Sequence, residues 1–294
     1  MSFRNRLAIS VPAAPFLLFL VASAEEKVLV QKTSPFNTII VTENERGLRT
    51  LLFERGGARQ SVVKVGDPDH LELPYARVMP VGLAFVDQPQ RALIVGLGGG
   101  TVPSFLHKHL PLLELDVVEL DPGVVEVAKE YFGFREDDKM HAFVEDGRKF
   151  IERHPKRYDI IFLDAFGADN VPLSLTTREF LQAVRASLKA GGVVVGNVWS
   201  RASNPLYDAM VRTYQDVFGE VFIFEVQAVS NRILVAVPVA QRFNKEGLAR
   251  RARELSTQQQ FGYDLGELVT YGFRDASKEA IQGHVLRDRD LLRK

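Results

Sequence analysis

The chain has 294 residues, of which 46% are hydrophobic and 25% are charged. This is enough apolar material for one large domain, or for a main domain with a smaller companion, so disorder is excluded as the dominant state. Thirty-seven basic and 37 acidic residues give a net charge of zero. The chain therefore has no overall field to attract nucleic acid, and no nucleic-acid partner is expected. The absence of cysteine excludes disulfides, cysteine-ligated zinc and thiol nucleophiles.

Residues 1–24 have the layout of a secretory signal peptide. Arg4 and Arg6 precede the apolar run LAISVPAAPFLLFLVASA, which ends in Ala-Ser-Ala before two glutamates. Pro12 and Pro15 weaken this run as a membrane-spanning helix. The pattern predicts export to the periplasm or anchoring to a membrane. The alternatives are an uncleaved N-terminal anchor, or a start codon placed too early on a cytoplasmic protein.

Residues 25–90 predict a small β-rich domain. The runs KVLVQK, NTIIVTEN, LRTLLFE and ARQSVVKV alternate with turn residues, which is typical of antiparallel strands. The run LPYARVMPVGLAFV then predicts a mostly buried helix that leads into the next domain.

Residues 91–240 predict a larger α/β domain. Five apolar runs alternate with helical segments, which implies a parallel sheet covered on both faces: ALIVGLGGG, LDVVEL, MHAFVED, YDIIFLD and GVVVGNV. Asp121-Pro122 and Thr177 are predicted to begin helices, and Gly191-Gly192 to end the second of them. The runs EVFIFEV and NRILVAV are separated by four residues, too few for a parallel crossover, so they predict an antiparallel hairpin.

Residues 241–294 are polar, with alternating charge in GLARRAREL and VLRDRDLLRK. Runs of this kind usually mark solvated helix faces, so this segment is predicted to be a solvated helical tail.

The first candidate binding feature is a glycine turn. Gly96, Gly98 and Gly100 follow a buried strand, where glycine allows a tight turn and a close approach of the backbone to a ligand. A nicotinamide-binding fingerprint would have its third glycine where Thr101 stands, which argues against a dehydrogenase.

Three acids stand at equivalent places in the predicted sheet. Glu119, Asp146 and Asp164 each close a strand run, and the carboxyl ends of parallel strands face one crevice. We therefore expect these acids and the glycine turn to meet around a nucleoside-bearing ligand. The structural alternative is that Asp146 and Asp164 only cap the helices that follow them.

The motifs VGLGGGTVPSF, VVELDP, VEDGRKFI and DAFGADNVPLSLTTREFL resemble the spermidine-synthase-like branch of the class I methyltransferase fold. The resemblance spans residues 35–240. It implies a Rossmann-like, seven-stranded sheet with an antiparallel final hairpin, preceded by the small antiparallel domain. It also implies S-adenosylmethionine or its decarboxylated form as cofactor, no metal, a small-molecule amine substrate and a homodimer.

The resemblance also assigns roles to single residues. Glu119 would bind the ribose, Asp146 and Gly147 would lie beside the adenine, and Asp164 would face the reacting centre as a catalytic residue. Asp169, two residues beyond Gly167, would be the second catalytic aspartate. On the substrate side the resemblance includes Gln60 and Tyr75. Tyr75 and Phe166 are aromatic and would line the substrate or face the cationic sulfur; the alternative is that they pack between the two domains.

Three departures from the family pattern bear on the substrate. Spermidine synthases carry acids at the positions of Gly99 and Gly167, and histidine and glutamate follow the tyrosine that matches Tyr75, where this chain has Ala76 and Arg77. A diamine carries two ammonium groups, and its pocket needs carboxylates to offset their desolvation. Asp169 would replace part of this charge.

Three functions are therefore considered. The first is aminopropyl transfer to an amine such as putrescine. The second is methyl transfer from S-adenosylmethionine, which the loss of the acid at Gly99 favours; GLGGGTVPSFLHKHLP and YFGF also resemble eukaryotic methyltransferases of translation elongation factors. The third is a non-catalytic nucleoside-binding or scaffold protein, which export would favour because the cofactor is made in the cytoplasm. Other chemistry has little support: His107 and His109 are two apart on a predicted helix and point to different faces.

Overall fold

The computed structural model describes residues 26–167 and 170–293. The predicted signal segment, residues 1–24, and Asp169 lie outside these ranges. Within them, no helix is long and apolar enough to cross a membrane.

The N-terminal strands form the predicted antiparallel sheet. β1 (Lys27–Thr33), β2 (Thr38–Glu43), β3 (Leu48–Leu52) and β4 (Arg59–Lys64) pair in chain order. Ile39, Val41 and Leu51 are buried on one face of this sheet and share a core cluster with Val124 and Val127 of the following domain. The small sheet is therefore packed against the larger domain.

The apolar segment after β4 is helical and buried but changes its hydrogen-bond pattern midway. α1 (Pro74–Val78) continues as a 3₁₀-helix (Met79–Phe85). Pro80 has no N–H for an α-helical hydrogen bond, which favours the change at this point. A Cβ atom at Gly82 would lie 2.3 Å from Val195 Cγ2, so the glycine lets this segment lie directly on the large sheet.

The large sheet of the described residues has eight strands, of which five are parallel. Its five parallel strands are β5 (Arg91–Val95), β6 (Glu114–Glu119), β7 (Met140–Val144), β8 (Tyr158–Leu163) and β9 (Leu188–Trp199). The predicted hairpin, β10 (Glu220–Glu225) and β11 (Asn231–Val237), pairs antiparallel with β9 through β11. The predicted seven strands are present, and β12 (Phe273–Asp275) adds a short eighth strand beside β10. The strand order across the sheet is β12-β10-β11-β9-β8-β5-β6-β7.

Helices cover both faces of this sheet. They are α2 (Thr101–His109), α3 (Pro122–Tyr131), α4 (Gly147–Glu152), α5 (Arg178–Ser187), α6 (Tyr207–Val217), α7 (Lys245–Gln258) and α8 (Leu265–Gly272). Two short 3₁₀-helices span Leu173–Leu175 and Asp288–Arg293.

The helix-start signals agree with the structure, but one stop signal is wrong. Asp121 caps α3 with Pro122 in its first turn, and the Thr177 side chain caps α5. α5 ends at Ser187, before Gly191-Gly192. Leu188 pairs with Tyr158 and Val193 with Ile160, so the intervening residues bulge out of β9, and Gly191 takes a positive φ of 76° there.

The C-terminal segment differs from the predicted solvated tail. Leu248, Ala252, Leu265 and Val269 of α7 and α8 are fully buried and belong to the main core cluster. Within each helix the two apolar residues are four apart and lie on one face, while the charged residues that dominate the composition point outward.

Candidate active site

A cavity of about 280 Å³ opens at the carboxyl ends of β5, β6 and β8, between the large sheet and the N-terminal strands. Its wall brings together most of the predicted site residues, from segments far apart in the sequence. They are Gln60, Tyr75, Gly96, Gly98, Glu119, Asp146, Gly147, Asp164 and Phe166. The topology explains this, because every one of these parallel strands ends at the same edge of the sheet.

The glycine turn after β5 lines the cavity with Gly96 and Gly98. A Cβ atom at Gly96 would lie 2.3 Å from the carbonyl oxygen of Asp164, so this position excludes any side chain. Gly98 also lines the cavity and has a positive φ of 54°. Both glycines bring backbone to the place where a ligand would bind.

Gly100 does not line this cavity, contrary to expectation. It precedes α2 in a left-handed conformation, with φ 79°, and a Cβ atom there would lie 2.9 Å from the Phe134 ring. It borders a second cavity of about 240 Å³ on the other side of the turn. Its part is therefore to shape the start of α2 rather than to touch a ligand in the first cavity.

Glu119 closes β6, and main-chain donors hold both of its carboxylate oxygens. The Leu97 N–H donates to Oε2 and the Asp121 N–H donates to Oε1, each at 3.0 Å. Burial raises the pKa of Glu119, while these two hydrogen bonds act in the opposite direction. A carboxylate has about four acceptor sites, so acceptor capacity remains for the hydroxyls of a ribose.

Asp121 also lines the cavity, although the sequence indicated only its capping of α3. Its Oδ1 accepts from the Gly123 N–H at 2.9 Å, and its Oδ2 accepts from Asn37 Nδ2 at 3.1 Å and from the Ser34 hydroxyl. Ser34 and Asn37 lie between β1 and β2. Asp121 thus ties the N-terminal sheet to the edge of the cavity, a contact that only the folded chain reveals.

Asp146 both caps a helix and lines the cavity, so it is placed for each of the two roles that the sequence predicts. Its Oδ1 accepts from the Lys149 N–H at 3.0 Å, which caps α4, and the residue also lines the cavity. The neighbouring Gly147 begins α4 directly against β5, because a Cβ atom there would lie 2.5 Å from Val95 Cγ1.

Asp164 follows β8 and is held by side chains rather than by the main chain. Asn197 Nδ2 donates to Asp164 Oδ1 at 2.8 Å, and the Tyr75 hydroxyl interacts with the same carboxyl group. The pKa of Asp164 is raised to about 7. Burial causes the rise, and it outweighs the contacts with Asn197 and Tyr75, which act in the opposite direction. Burial also raises the pKa of Tyr75 well above 10, with a contribution from the Asp164 charge. Asp164 can therefore exchange a proton near neutral pH.

The wall beside Asp164 is largely aromatic. Phe166 lines the cavity and packs against the Trp199 ring, with centroids 5.4 Å apart. Gln60, from β4, reaches toward the Gly167 carbonyl at 3.5 Å. Phe36 and Phe53 extend the apolar lining.

The charges of the described lining have one sign. They include Glu119, Asp121, Asp146 and Asp164, and none of the lining residues in the described ranges is a lysine, arginine or histidine. A buried cation would find partners here, whereas a buried anion would have no side chain of opposite charge. In the described ranges, no group of three or more metal-ligating side chains is present.

Comparison with known proteins identifies the family. The spermine/spermidine synthase domain matches residues 75–236, which is more than half of the chain. The chain belongs to the spermine/spermidine synthase family. A polyamine aminopropyltransferase of Vibrio vulnificus is 34% identical over 240 residues, covering 79% of each chain. The chain is accordingly a transferase.

Solved structures and a second group of relatives extend the comparison. A probable spermidine synthase from Corynebacterium glutamicum superposes with a TM-score of 0.72 at 22% identity, over 88% of this chain and 96% of that one, which shows a shared fold. The mouse eEF1A lysine and N-terminal methyltransferase is 31% identical over 185 residues, which are 57% of this chain and 26% of that protein. The chain thus matches only about a quarter of this methyltransferase.

Proposed function

We propose that the protein transfers an aminopropyl group from decarboxylated S-adenosylmethionine to a small amine. The observation that carries the proposal is the lining of the cavity, which presents carboxyl groups at both ends and no cationic side chain among its described residues. Donor and acceptor are both cations, and two polyamine aminopropyltransferases match 79% and 71% of the chain.

The residues present fit an adenosine-bearing donor. Glu119 has acceptor capacity for ribose hydroxyls, and Asp146 with Gly147 would lie beside the adenine. The glycine turn, Gly96 to Gly98, leaves space for the rest of the molecule. When bound, the donor supplies a sulfonium centre, which makes the carbon next to it electrophilic.

Asp164 is the group that manages the proton. An amine attacks only in its neutral form, so its ammonium must be oriented and deprotonated before attack. The proton goes to Asp164, which frees the lone pair of the nitrogen; this pair would then form the new N–C bond as the C–S bond breaks and its bonding pair moves to sulfur. A carboxyl group with a pKa of about 7 is ionised often enough near neutral pH to accept that proton and basic enough to hold it. Asp169 stays a predicted second catalytic residue.

Methyl transfer is the second candidate, because relatives with that activity match part of the chain and because Gly99 replaces a family acid. Intact S-adenosylmethionine keeps a carboxylate. Burying that carboxylate in a lining without lysine, arginine or histidine is unfavourable, although main-chain N–H groups of the glycine turn would compensate in part. The charge of the lining therefore favours the decarboxylated form.

Titration calorimetry with both forms of the cofactor tests the proposal, followed by assays with putrescine or a protein acceptor. We expect at least tenfold tighter binding of the decarboxylated form, and release of methylthioadenosine when putrescine is added. Tighter binding of the intact form with methylation of an acceptor would establish the second candidate. Binding of neither form would support the non-catalytic scaffold and overturn both.

Export, association with a membrane through residues 1–24 and assembly into a homodimer are also proposed from the sequence and the family resemblance. Mass spectrometry of the mature N-terminus would show whether residues 1–24 are removed.

A further inference from the structure

A pair of asparagine side chains behind Asp164 has no place in the mechanism described above. Asn197 interrupts the apolar part of β9 and is only 3% exposed. Its Nδ2 donates to Asp164 Oδ1 at 2.8 Å, and its Oδ1 accepts from Asn231 Nδ2 at 2.9 Å. In the antiparallel pairing of β9 and β11, Asn197 lies opposite Ile233, which makes Asn231 its diagonal neighbour.

The contact with Asn231 determines which end of the Asn197 amide faces the carboxyl group. An amide has one accepting and one donating end, and the Asn231 NH₂ group can only donate. With the Asn231 NH₂ group facing it, Asn197 turns its oxygen to Asn231 and its NH₂ group to Asp164. A donor that faces a carboxyl group stabilises the ionised form, while burial alone favours the neutral form.

We propose that Asn197 is a positioning residue, held in orientation by Asn231, which keeps Asp164 ionised and holds its carboxyl group in place for the amine. The proposal rests on the proposed proton transfer to Asp164.

Other elements of the fold also place groups near the Asp164 carboxyl group. From α1, Tyr75 is the titratable group that interacts with the carboxyl. From β5, the Val95 carbonyl accepts the Asp164 N–H at 2.8 Å, and Gly96 carries no side chain. Glu119 and Asp146 are on the same cavity wall at the ends of other strands, and no cationic side chain lines the cavity in the described part of the chain. Asn197 is thus a neutral donor that, together with Tyr75, offsets the burial of Asp164.

The test is the pH dependence of kcat/KM for putrescine with decarboxylated S-adenosylmethionine. In Asn197→Leu, which has a similar volume but no donor, we expect the acidic limb to move up by about one to two pH units, the size expected for a lost hydrogen bond to a charged group. Activity should recover at high pH, and cofactor affinity should stay within twofold. Asn231→Ala, which frees the Asn197 amide to rotate, should move the limb in the same direction by less.

Asn170→Ala is the matched control, because Asn170 and Asn204 form a similar amide pair, 3.1 Å apart, that makes no hydrogen bond to Asp164. The acidic limb of its pH profile should stay at the wild-type position.

The proposal is overturned if the acidic limb of the pH profile stays at the wild-type position in both Asn197→Leu and Asn231→Ala while activity falls equally at every pH. That result would mean a merely structural role for the two asparagines. If Asn197→Leu fails to fold, the Asn231→Ala profile alone decides. A wild-type protein without product, or an Asp164→Asn variant that keeps the limb, would instead overturn the proposed function.

Discussion

The two ends of the cavity hold their carboxyl groups in different ways. At the donor end, Glu119, Asp121 and Asp146 each accept hydrogen bonds from main-chain N–H groups. At the acceptor end, Asp164 is held by the side chains of Asn197 and Tyr75. The arrangement at Glu119 and Asp146 needs only the backbone path of the fold, whereas that at Asp164 needs particular residues on other elements.

This difference indicates how each end can change. Main-chain donors remain when neighbouring residues are substituted, so the donor end is robust and suits a nucleoside common to many reactions. Side-chain donors are lost by single substitutions, so the acceptor end is where one change alters the protonation of the carboxyl group or the choice of substrate. Substitutions at the two ends should therefore separate cofactor binding from turnover.

The largest effect is expected at the acceptor end, from Asp164→Asn. The amide cannot accept the proton released by the amine, so kcat should fall by about 10²- to 10⁴-fold, the usual contribution of a general base. Cofactor affinity, measured by calorimetry, should stay within twofold. In the wild type, kcat/KM should rise with pH through about 7, where Asp164 loses its proton. The Asp164→Asn variant should lack this rise.

Stability gives an independent check on the same residue. The pKa of Asp164 is raised from 3.8 to about 7 by folding, so its burial destabilises the protein increasingly as pH rises from about 4 and fully above about 7. The melting temperature of Asp164→Asn relative to the wild type should therefore be higher at pH 8 than at pH 5. Equal differences at the two pH values would contradict the raised pKa.

At the donor end, Glu119→Ala should weaken cofactor binding by about 1 to 3 kcal/mol, or roughly 5- to 150-fold, because the ribose hydroxyls and two main-chain N–H groups lose their acceptor. At saturating cofactor, kcat should change little. Glu114→Ala is the control, since Glu114 begins the same strand at the opposite end and forms an ion pair with Arg91 there. Unchanged affinity in Glu119→Ala would remove Glu119 from the site.

The sequence predicts the donor end well, for a physical reason. Glycines and acids at the ends of parallel strands must meet at one edge, so Gly96, Glu119 and Asp146 converge without any knowledge of side-chain packing. Gly100 is the exception, because whether a glycine faces a ligand or a neighbouring ring depends on its own φ and on Phe134.

The acceptor end and the C-terminal segment were harder to predict. Asn197 reaches Asp164 from the strand next to β8, and Asn231 reaches Asn197 through the antiparallel register of β9 and β11. Neither pairing has a local sequence signal beyond a polar residue in an apolar strand. In α7 and α8, a few apolar residues on one face outweigh the alternating charges, which a reading of charge alone missed.

The smallest predicted effect concerns Gly99 and Gly167, the two glycines that stand where the family has acids. Among the described residues, a Cβ atom at Gly167 would meet only the Asn170 carbonyl, at 3.6 Å, whereas one at Gly99 would lie 3.0 Å from both Phe132 Cδ1 and Ser61 Oγ. Gly167→Asp should be tolerated and, by supplying a second carboxylate, raise kcat/KM for putrescine relative to butylamine by about tenfold. Gly99→Asp should lower the melting temperature without this gain. A Gly167→Asp variant that folds but keeps the wild-type preference for putrescine would show that the second ammonium group does not bind near this loop. Adding Asp169→Asn to the Gly167→Asp variant would show whether Asp169 already supplies the second negative charge.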